Sequence, residues 1–495
     1  MIPSRTGTES GDVKLADGAN PSIRTQAPGL WSLAATELWE RFSFYGLQGI
    51  LTFYLLYSVA DGGLDFGPGV AASVVGVYGG SVYLAQILGA WLGDRVLSPR
   101  NMVLYGAVVI TAGHVALAVL SGSFGLVTGL SLIVLGTGAL KTNITTILGM
   151  LASADRTRRD VGFSYFYMAI CIGAVLGPLL TGLTQSIAGF HLAFGLAAIG
   201  MVLALAQYVG AMRKLPADAA IVRNPINPAA LGVPLLLVAG VIALLVATIG
   251  TGLVAADELS LATTIVVVAV AVIYFTVFLT SAKVTPAERV RVRGYLPIFI
   301  ASALYFGFLY QKFSTIPILI TERVNLNVLG WSVPPPWITT ASPLAAVLVT
   351  PVLARLWSRL GDRQPGPARK IALGLAQVGI AYTLLLLITI TTGKTVSPVF
   401  MVVVMVIAGS SEMLVGPIGL ALVTRAAPSR FRNQFVALNF LTLASGSALG
   451  GLLGTYFVDV PEAVYFSTVG AGAMLLGLVT WVLSRRVEPM VETQD

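Results

Sequence analysis

The chain has 495 residues, of which 56% are hydrophobic and only 11% charged, with a mean hydropathy of +0.86. This composition excludes an ordinary water-soluble domain and predicts an all-α integral membrane protein with many spans. The net charge of +8 does not indicate nucleic-acid binding, because the basic residues lie in short loops and no nucleic-acid motif accompanies them. One cysteine and two histidines exclude an intramolecular disulfide and provide too few ligands for a metal site.

Fourteen apolar windows long enough to cross a bilayer are predicted along the chain, in groups of six, two and six. Residues 1–28 are polar and predict a cytoplasmic tail without a secretory signal. A bundle over 29–214 has segments near 30–58, 69–95, 101–122, 126–151, 161–185 and 190–212. A linker over 215–294 carries an inserted helix pair near 229–254 and 259–281. A second bundle over 295–486 has segments near 295–320, 336–358, 369–391, 396–424, 432–456 and 463–484, and a tail follows over 487–495.

Basic residues are distributed unequally between the two sets of loops. Loops that follow even-numbered segments hold most of the lysines and arginines, whereas the opposite loops hold only Arg323 and Lys394. The positive-inside rule therefore predicts a multi-pass protein of the cell membrane with both termini in the cytoplasm.

Two groups of six segments are the plan of a secondary transporter, in which the substrate site lies between the halves near the middle of the bilayer. The count alone leaves a channel or a membrane enzyme open. Against an enzyme, the sequence has no Gly-rich phosphate loop with lysine and serine, and no convincing nucleophile and base pair.

Six ionisable residues lie in the middle of predicted segments, and their formal charges sum to zero. Inserting one such charged residue at the centre of a membrane helix costs roughly 2.5–3.5 kcal/mol. Because the positive and negative charges balance, we expect them to pair in a hydrated interior. A purely structural pair is the alternative, although apolar residues could replace such a pair without penalty. A lone lysine could instead extend towards the outer interface. The six are Glu37, Glu40 and Arg41 in segment 1, Lys141 in segment 4, Lys312 in segment 7 and Glu412 in segment 10.

In segment 1, positions 37, 40, 41, 44, 45 and 48 share one helical face, which must point at protein or water rather than lipid. Burial and a nearby cation have opposing effects on the pKa of a carboxylate, and together they can place its titration near neutral pH. We therefore expect a proton-dependent salt-bridge switch. A zwitterionic substrate would bridge the halves, with its carboxylate near Arg41 and Lys141 and its amine near Glu412.

Several motifs resemble those of the proton-dependent oligopeptide transporter family of the major facilitator superfamily, and the resemblance covers nearly the whole chain. Residues 37–46 (ELWERFSFYG) resemble the family signature Glu-x-x-Glu-Arg-Phe-Ser-Tyr-Tyr-Gly. Residues 89–95 (GAWLGDR) are similar to the superfamily loop between segments 2 and 3. Further similar runs are 136–143 (GTGALKTN), 166–173 (FYMAICIG) and 411–420 (SEMLVGPIGL), and the inserted pair matches bacterial members.

This resemblance implies roles for matching positions. Proton coupling would fall to Glu37, Glu40, Arg41 and Lys141. The substrate pocket would be lined by Arg41, Tyr45, Gln48, Tyr83, Lys141, Tyr167, Cys171, Tyr310, Lys312, Ser342 and Glu412.

The chain also departs from the family pattern. Gln48 and Tyr310 stand where the family has an arginine and an acid, so that both ends of one salt bridge are absent. Cys171 and Ser342 replace asparagines, and Gly416 replaces a serine. Lys312 is an extra cation that could supply charge to the pocket. Missing polar contacts weaken the expectation that ordinary peptides are the main cargo.

The predicted function is a proton-coupled symporter that imports di- and tripeptides by alternating access, as a monomer in the lipid bilayer. It would use a proton gradient and no cofactor, and it would not be an enzyme. The alternatives are a carrier of a modified peptide or a non-peptide solute, an exporter by proton exchange, and a protein that only binds or senses.

Overall fold

The computed structural model describes residues 28–151, 156–226, 255–391 and 395–492, and these are helical apart from short loops and one two-stranded hairpin. The predicted tail over 1–28 lies outside them apart from Pro28, as does the predicted segment 229–254. The first six helices correspond to the six predicted segments. They are α1 (Pro28–Leu56), α2 (Pro68–Arg95), α3 (Pro99–Val119), α4 (Gly122–Leu151), α5 (Arg156–Ala188) and α6 (Phe190–Ala211).

The second part of the chain begins with α7 (Leu259–Thr280), the described member of the inserted pair. A small antiparallel hairpin, β1 (Asn327–Val328) and β2 (Trp331–Ser332), interrupts the helices that follow. These helices are α8 (Pro286–Tyr310), α9 (Thr315–Arg323), α10 (Pro335–Leu360), α11 (Pro367–Thr391), α12 (Pro398–Ser410), α13 (Glu412–Ala426), α14 (Arg432–Asp459) and α15 (Glu462–Glu492).

Twelve segments within the described part of the chain are long and apolar enough to cross a membrane. Helix α1 is a thirteenth long helix, and its three charged residues lower its hydropathy. The prediction of many membrane-spanning helices is therefore confirmed, whereas the predicted count of fourteen depends on residues outside the description. Helix α15 continues past the predicted end at 484, because Glu488 accepts hydrogen bonds from the backbone N–H groups of Ala368 and Arg369 at the start of α11.

Two predicted segments are each broken into two helices. The segment near 295–320 breaks at a 3₁₀ turn, Gln311–Phe313, between α8 and α9. Pro317 has no N–H to offer the carbonyl of Phe313 four residues earlier, and that carbonyl accepts a hydrogen bond from the Thr52 hydroxyl instead. The segment near 396–424 breaks at Ser411, between α12 and α13.

The two sets of helices meet through α2 with α14 and through α5 with α10. Gly76 and Gly451 approach so closely that a Cβ on Gly76 would lie 2.6 Å from the Gly451 Cα. On the other pair, the Trp337 indole N–H donates to the Leu179 carbonyl at 2.9 Å. Both contacts lie towards the same end of the bundle, at the start of α2 and α10 and the end of α5 and α14, so that this end is closed.

Candidate functional site

The four charged residues predicted to couple protons form one buried cluster. Arg41 donates to both carboxylate oxygens of Glu40, at 2.5 and 2.7 Å, and its Nε lies 3.4 Å from Glu37 Oε1. Lys141 reaches across from α4 and pairs with the same Glu37 oxygen. Two carboxylates and two cations thus neutralise one another, which is the condition for burying such groups.

This charge cluster is almost completely shielded from solvent. Glu37, Glu40 and Arg41 are 0%, 1% and 6% exposed, which agrees with the prediction that this face of the first helix points at protein. The side chain of Lys141 is 17% exposed and is the most exposed of the four. Glu37 Oε2 has no hydrogen-bond partner among the described residues, whereas both oxygens of Glu40 are bound.

A cavity of about 660 Å³, counting the part open to solvent, lies next to this cluster and between the two sets of helices. Tyr45 connects the two features, since its ring lies in the cavity wall and 5.8 Å from the Arg41 guanidinium carbon. Five predicted pocket residues line the cavity: Tyr45, Tyr167, Cys171, Lys312 and Glu412. The sequence interpretation missed further lining residues, among them Phe313, Thr339, Thr340, Pro343 and Met413. The pair of threonines three residues before Pro343 was the available signal.

Lys312 and Glu412 form an ion pair in the cavity wall. Lys312 lies in the 3₁₀ turn between α8 and α9, and Glu412 is the first residue of α13, so both are placed by the helix breaks. Lys312 Nζ is 3.3 Å from Glu412 Oε2 and 3.3 Å from the Ser342 hydroxyl. The alternative that Lys312 extends to the outer interface is wrong, because its side chain is only 7% exposed and bonds inward.

The other predicted pocket residues are not among those that line the cavity. The hydroxyls of Tyr83 and Tyr310 are 3.2 Å apart and their rings are stacked with centroids 6.4 Å apart. This contact joins α2 to α8 across the halves. Gln48 is buried, and Ser342 is fully buried behind Lys312. The assignment of these four residues to substrate contact stays a prediction, as do the contacts proposed for Arg41 and Lys141, whose charges are already paired.

A sequence model of the POT family matches residues 100–474. The chain belongs to the POT family. This confirms the resemblance predicted from the motifs, and the solved POT structures that the chain resembles have the predicted major facilitator fold.

Characterised relatives match along nearly their full length. The chain is 34% identical over 479 residues to a di-/tripeptide transporter of Lactococcus lactis subsp. cremoris, covering 93% of this chain and 96% of that one. A crystal structure of the peptide transporter POT in complex with sulfate matches with 36% identity and a TM-score of 0.90, covering 95% and 97% of the two chains. A POT family transporter in complex with 5-aminolevulinic acid matches with 32% identity and a TM-score of 0.89, covering 94% and 98%.

Proposed function

We propose that the protein is a proton-coupled symporter that imports small peptides by alternating access. The observation that carries the proposal is a cavity lined by both sets of helices directly beside a buried carboxylate and cation cluster. The cavity wall combines aromatic and apolar side chains with a few polar and charged groups, as is usual for small-molecule sites. The names of the POT relatives support a peptide or a peptide-like molecule as the cargo.

The proton site in this proposal is Glu37. Its Oε2 is the carboxylate oxygen of the cluster without a partner among the described residues. A proton there removes the charge that holds Lys141 and part of the charge that holds Arg41. Lys141 is then free to form an ion pair with another group, while Arg41 keeps its pairing with Glu40. Protonation can therefore favour one conformation of the carrier over the other.

The direction of access follows from the loop charges. The positive-inside pattern places both termini and the loop with Arg95 and Arg100 in the cytoplasm. In this orientation the end closed by Gly76 and Gly451 would face outward, and we propose that the cavity opens towards the cytoplasm. In this conformation cargo leaves for the cytoplasm. The protein acts as a monomer, draws its energy from the proton gradient, and requires no cofactor or enzymatic step.

A carrier of a non-peptide or modified solute is the second candidate. It is favoured by the neutralised Glu412 and by the departures at Gln48, Cys171, Tyr310 and Gly416. The POT relative that holds 5-aminolevulinic acid shows that a member of this family can bind such a solute.

The test uses the purified full chain in liposomes with an imposed inward proton gradient and a panel of labelled di- and tripeptides. We expect accumulation that a protonophore abolishes and that empty liposomes do not show. If the peptides only equilibrate across the membrane and their accumulation does not depend on the proton gradient, transport is not coupled to protons. If no peptide enters but 5-aminolevulinic acid accumulates, the second candidate replaces the first.

A further inference from the structure

The ion pair of Lys312 and Glu412 occupies a place in the cavity where a substrate's amino group could bind. Glu412 is the acidic side chain among the described residues that line the cavity, and this side chain is 27% exposed to solvent. The ammonium group of Lys312 already lies 3.3 Å from one oxygen of that carboxylate. A peptide's amino group that approached Glu412 would find the carboxylate already paired with the ammonium group of Lys312, which is also a protonated amine.

Lys312 is held in this position by more than the carboxylate. Its Nζ also donates to the buried Ser342 hydroxyl, at 3.3 Å. The rings of Phe313 and Tyr310 lie 5.2 and 5.8 Å from the ammonium nitrogen, close enough for cation–π attraction. The 3₁₀ turn that carries Lys312 is itself held in place, because the Thr52 hydroxyl donates a hydrogen bond to the Phe313 carbonyl. The ammonium is therefore fixed in position and little exposed to water.

The buried charges of the first set of helices are not available to pair with Lys312 or Glu412. Arg41 and Lys141 are paired with Glu40 and Glu37 on the other side of the cavity, and the two clusters are each neutral. Removing Lys312 from Glu412 would leave an unpaired charge in a poorly hydrated wall, which is strongly unfavourable.

We propose that Lys312 is a tethered competitor for the amine subsite at Glu412, and that the cavity therefore accepts peptide-like solutes whose amino end is blocked or absent as readily as those with a free amine. The inference rests on the proposed function and extends its substrate class. A tethered group competes at an effective concentration of about millimolar or more, so a free amine at lower concentration gains little from Glu412. An acylated amino end does not need the carboxylate and can pack against the apolar side chains of Phe313, Pro343 and Met413 in the same wall.

The experiment is calorimetric titration of the purified full chain with alanyl-phenylalanine and with its N-acetylated form. For the wild type we expect dissociation constants within about threefold of each other. Lys312→Met keeps the length of the side chain and removes the charge, so the free-amine form should become favoured by roughly tenfold or more, the scale of one charge-assisted hydrogen bond. Lys312→Arg keeps the ion pair and should behave as the wild type. The double variant with Lys312→Met and Glu412→Gln should return the ratio towards one.

Two outcomes separate this inference from the proposed function. If peptides bind to all four proteins and the ratio is the same in each, or if the wild type already favours the free amine tenfold, the inference is overturned and the transporter proposal stands. If no peptide of either form binds to any of the four, the proposed function is overturned and the inference falls with it. Should Lys312→Met not fold, Glu412→Gln alone decides: equal changes for both peptides support the competitor role, and a selective loss of free-amine binding refutes it.

Discussion

Replacing Glu37 with glutamine should uncouple cargo movement from the proton gradient. Glutamine has nearly the same size and can still accept a hydrogen bond from Lys141, but it cannot take up a proton at the oxygen that has no partner among the described residues. The variant resembles the protonated state of the cluster permanently. We expect it to exchange cargo across the membrane and to lose the ability to concentrate it.

The magnitude follows from the charges in the cluster. Two carboxylates and two cations sum to zero, so one proton bound at Glu37 adds one elementary charge to an electroneutral peptide. A membrane potential of 100 mV, negative inside, is worth about 2.3 kcal/mol for one charge. At about 1.4 kcal/mol per factor of ten, this corresponds to a concentration ratio of roughly 50. Without a proton, the same peptide should reach a ratio of about one.

The assay is steady-state uptake of a labelled zwitterionic peptide into liposomes with a potassium diffusion potential. Counterflow in the absence of a potential shows that the variant still binds and moves cargo. Glu258→Gln is the matched control, since Glu258 is exposed at the start of α7 and far along the chain from the cluster. Accumulation by Glu37→Gln at the wild-type level would refute the assignment of the proton to Glu37. If the wild-type protein reaches a concentration ratio near the square of the value expected for one proton, two protons move with each peptide.

Three further substitutions test the closed end, which we propose faces outward, the contact between the halves, and the last helix. Gly76→Val introduces a Cβ 2.6 Å from the Gly451 Cα, and overpacking of about 1–3 kcal/mol should shift the carrier roughly 5- to 150-fold away from outer closure. Faster reaction of Cys171, the single cysteine, with an impermeant maleimide added outside would report the shift, and unchanged reactivity would contradict it. Tyr310→Phe removes one hydrogen bond between the halves, worth about 0.5–1.5 kcal/mol, and should change the same labelling in the same direction by a smaller factor. Glu488→Ala removes the acceptor at the start of α11 and should cost about 0.5–2 kcal/mol in thermal unfolding, with the accumulation ratio unchanged; an altered ratio would mean that α15 takes part in transport.

Much of the architecture could be predicted from the sequence because it depends on local properties. Apolar windows of about 20 residues report membrane helices whatever their neighbours are, and the described helices follow the predicted windows. The spacing of Glu37, Glu40 and Arg41 placed them on one face of one helix, since that spacing is a property of the helix itself. The motif around them was enough to predict the family.

The pairing of the distant charges was decided only by the tertiary structure. Lys141 is 104 residues from Glu37, and Lys312 is 100 residues from Glu412, so helix packing alone determines which cation reaches which carboxylate. The sequence showed that the six charges within predicted segments balance, and it led us to expect a substrate amine near Glu412. The helix breaks at Gln311–Phe313 and Ser411 instead turn Lys312 towards Glu412. Sequence therefore determined the charges present, and the long-range packing of helices determined which of them remain available to cargo, because an ion pair forms only where two side chains are brought within a few ångströms.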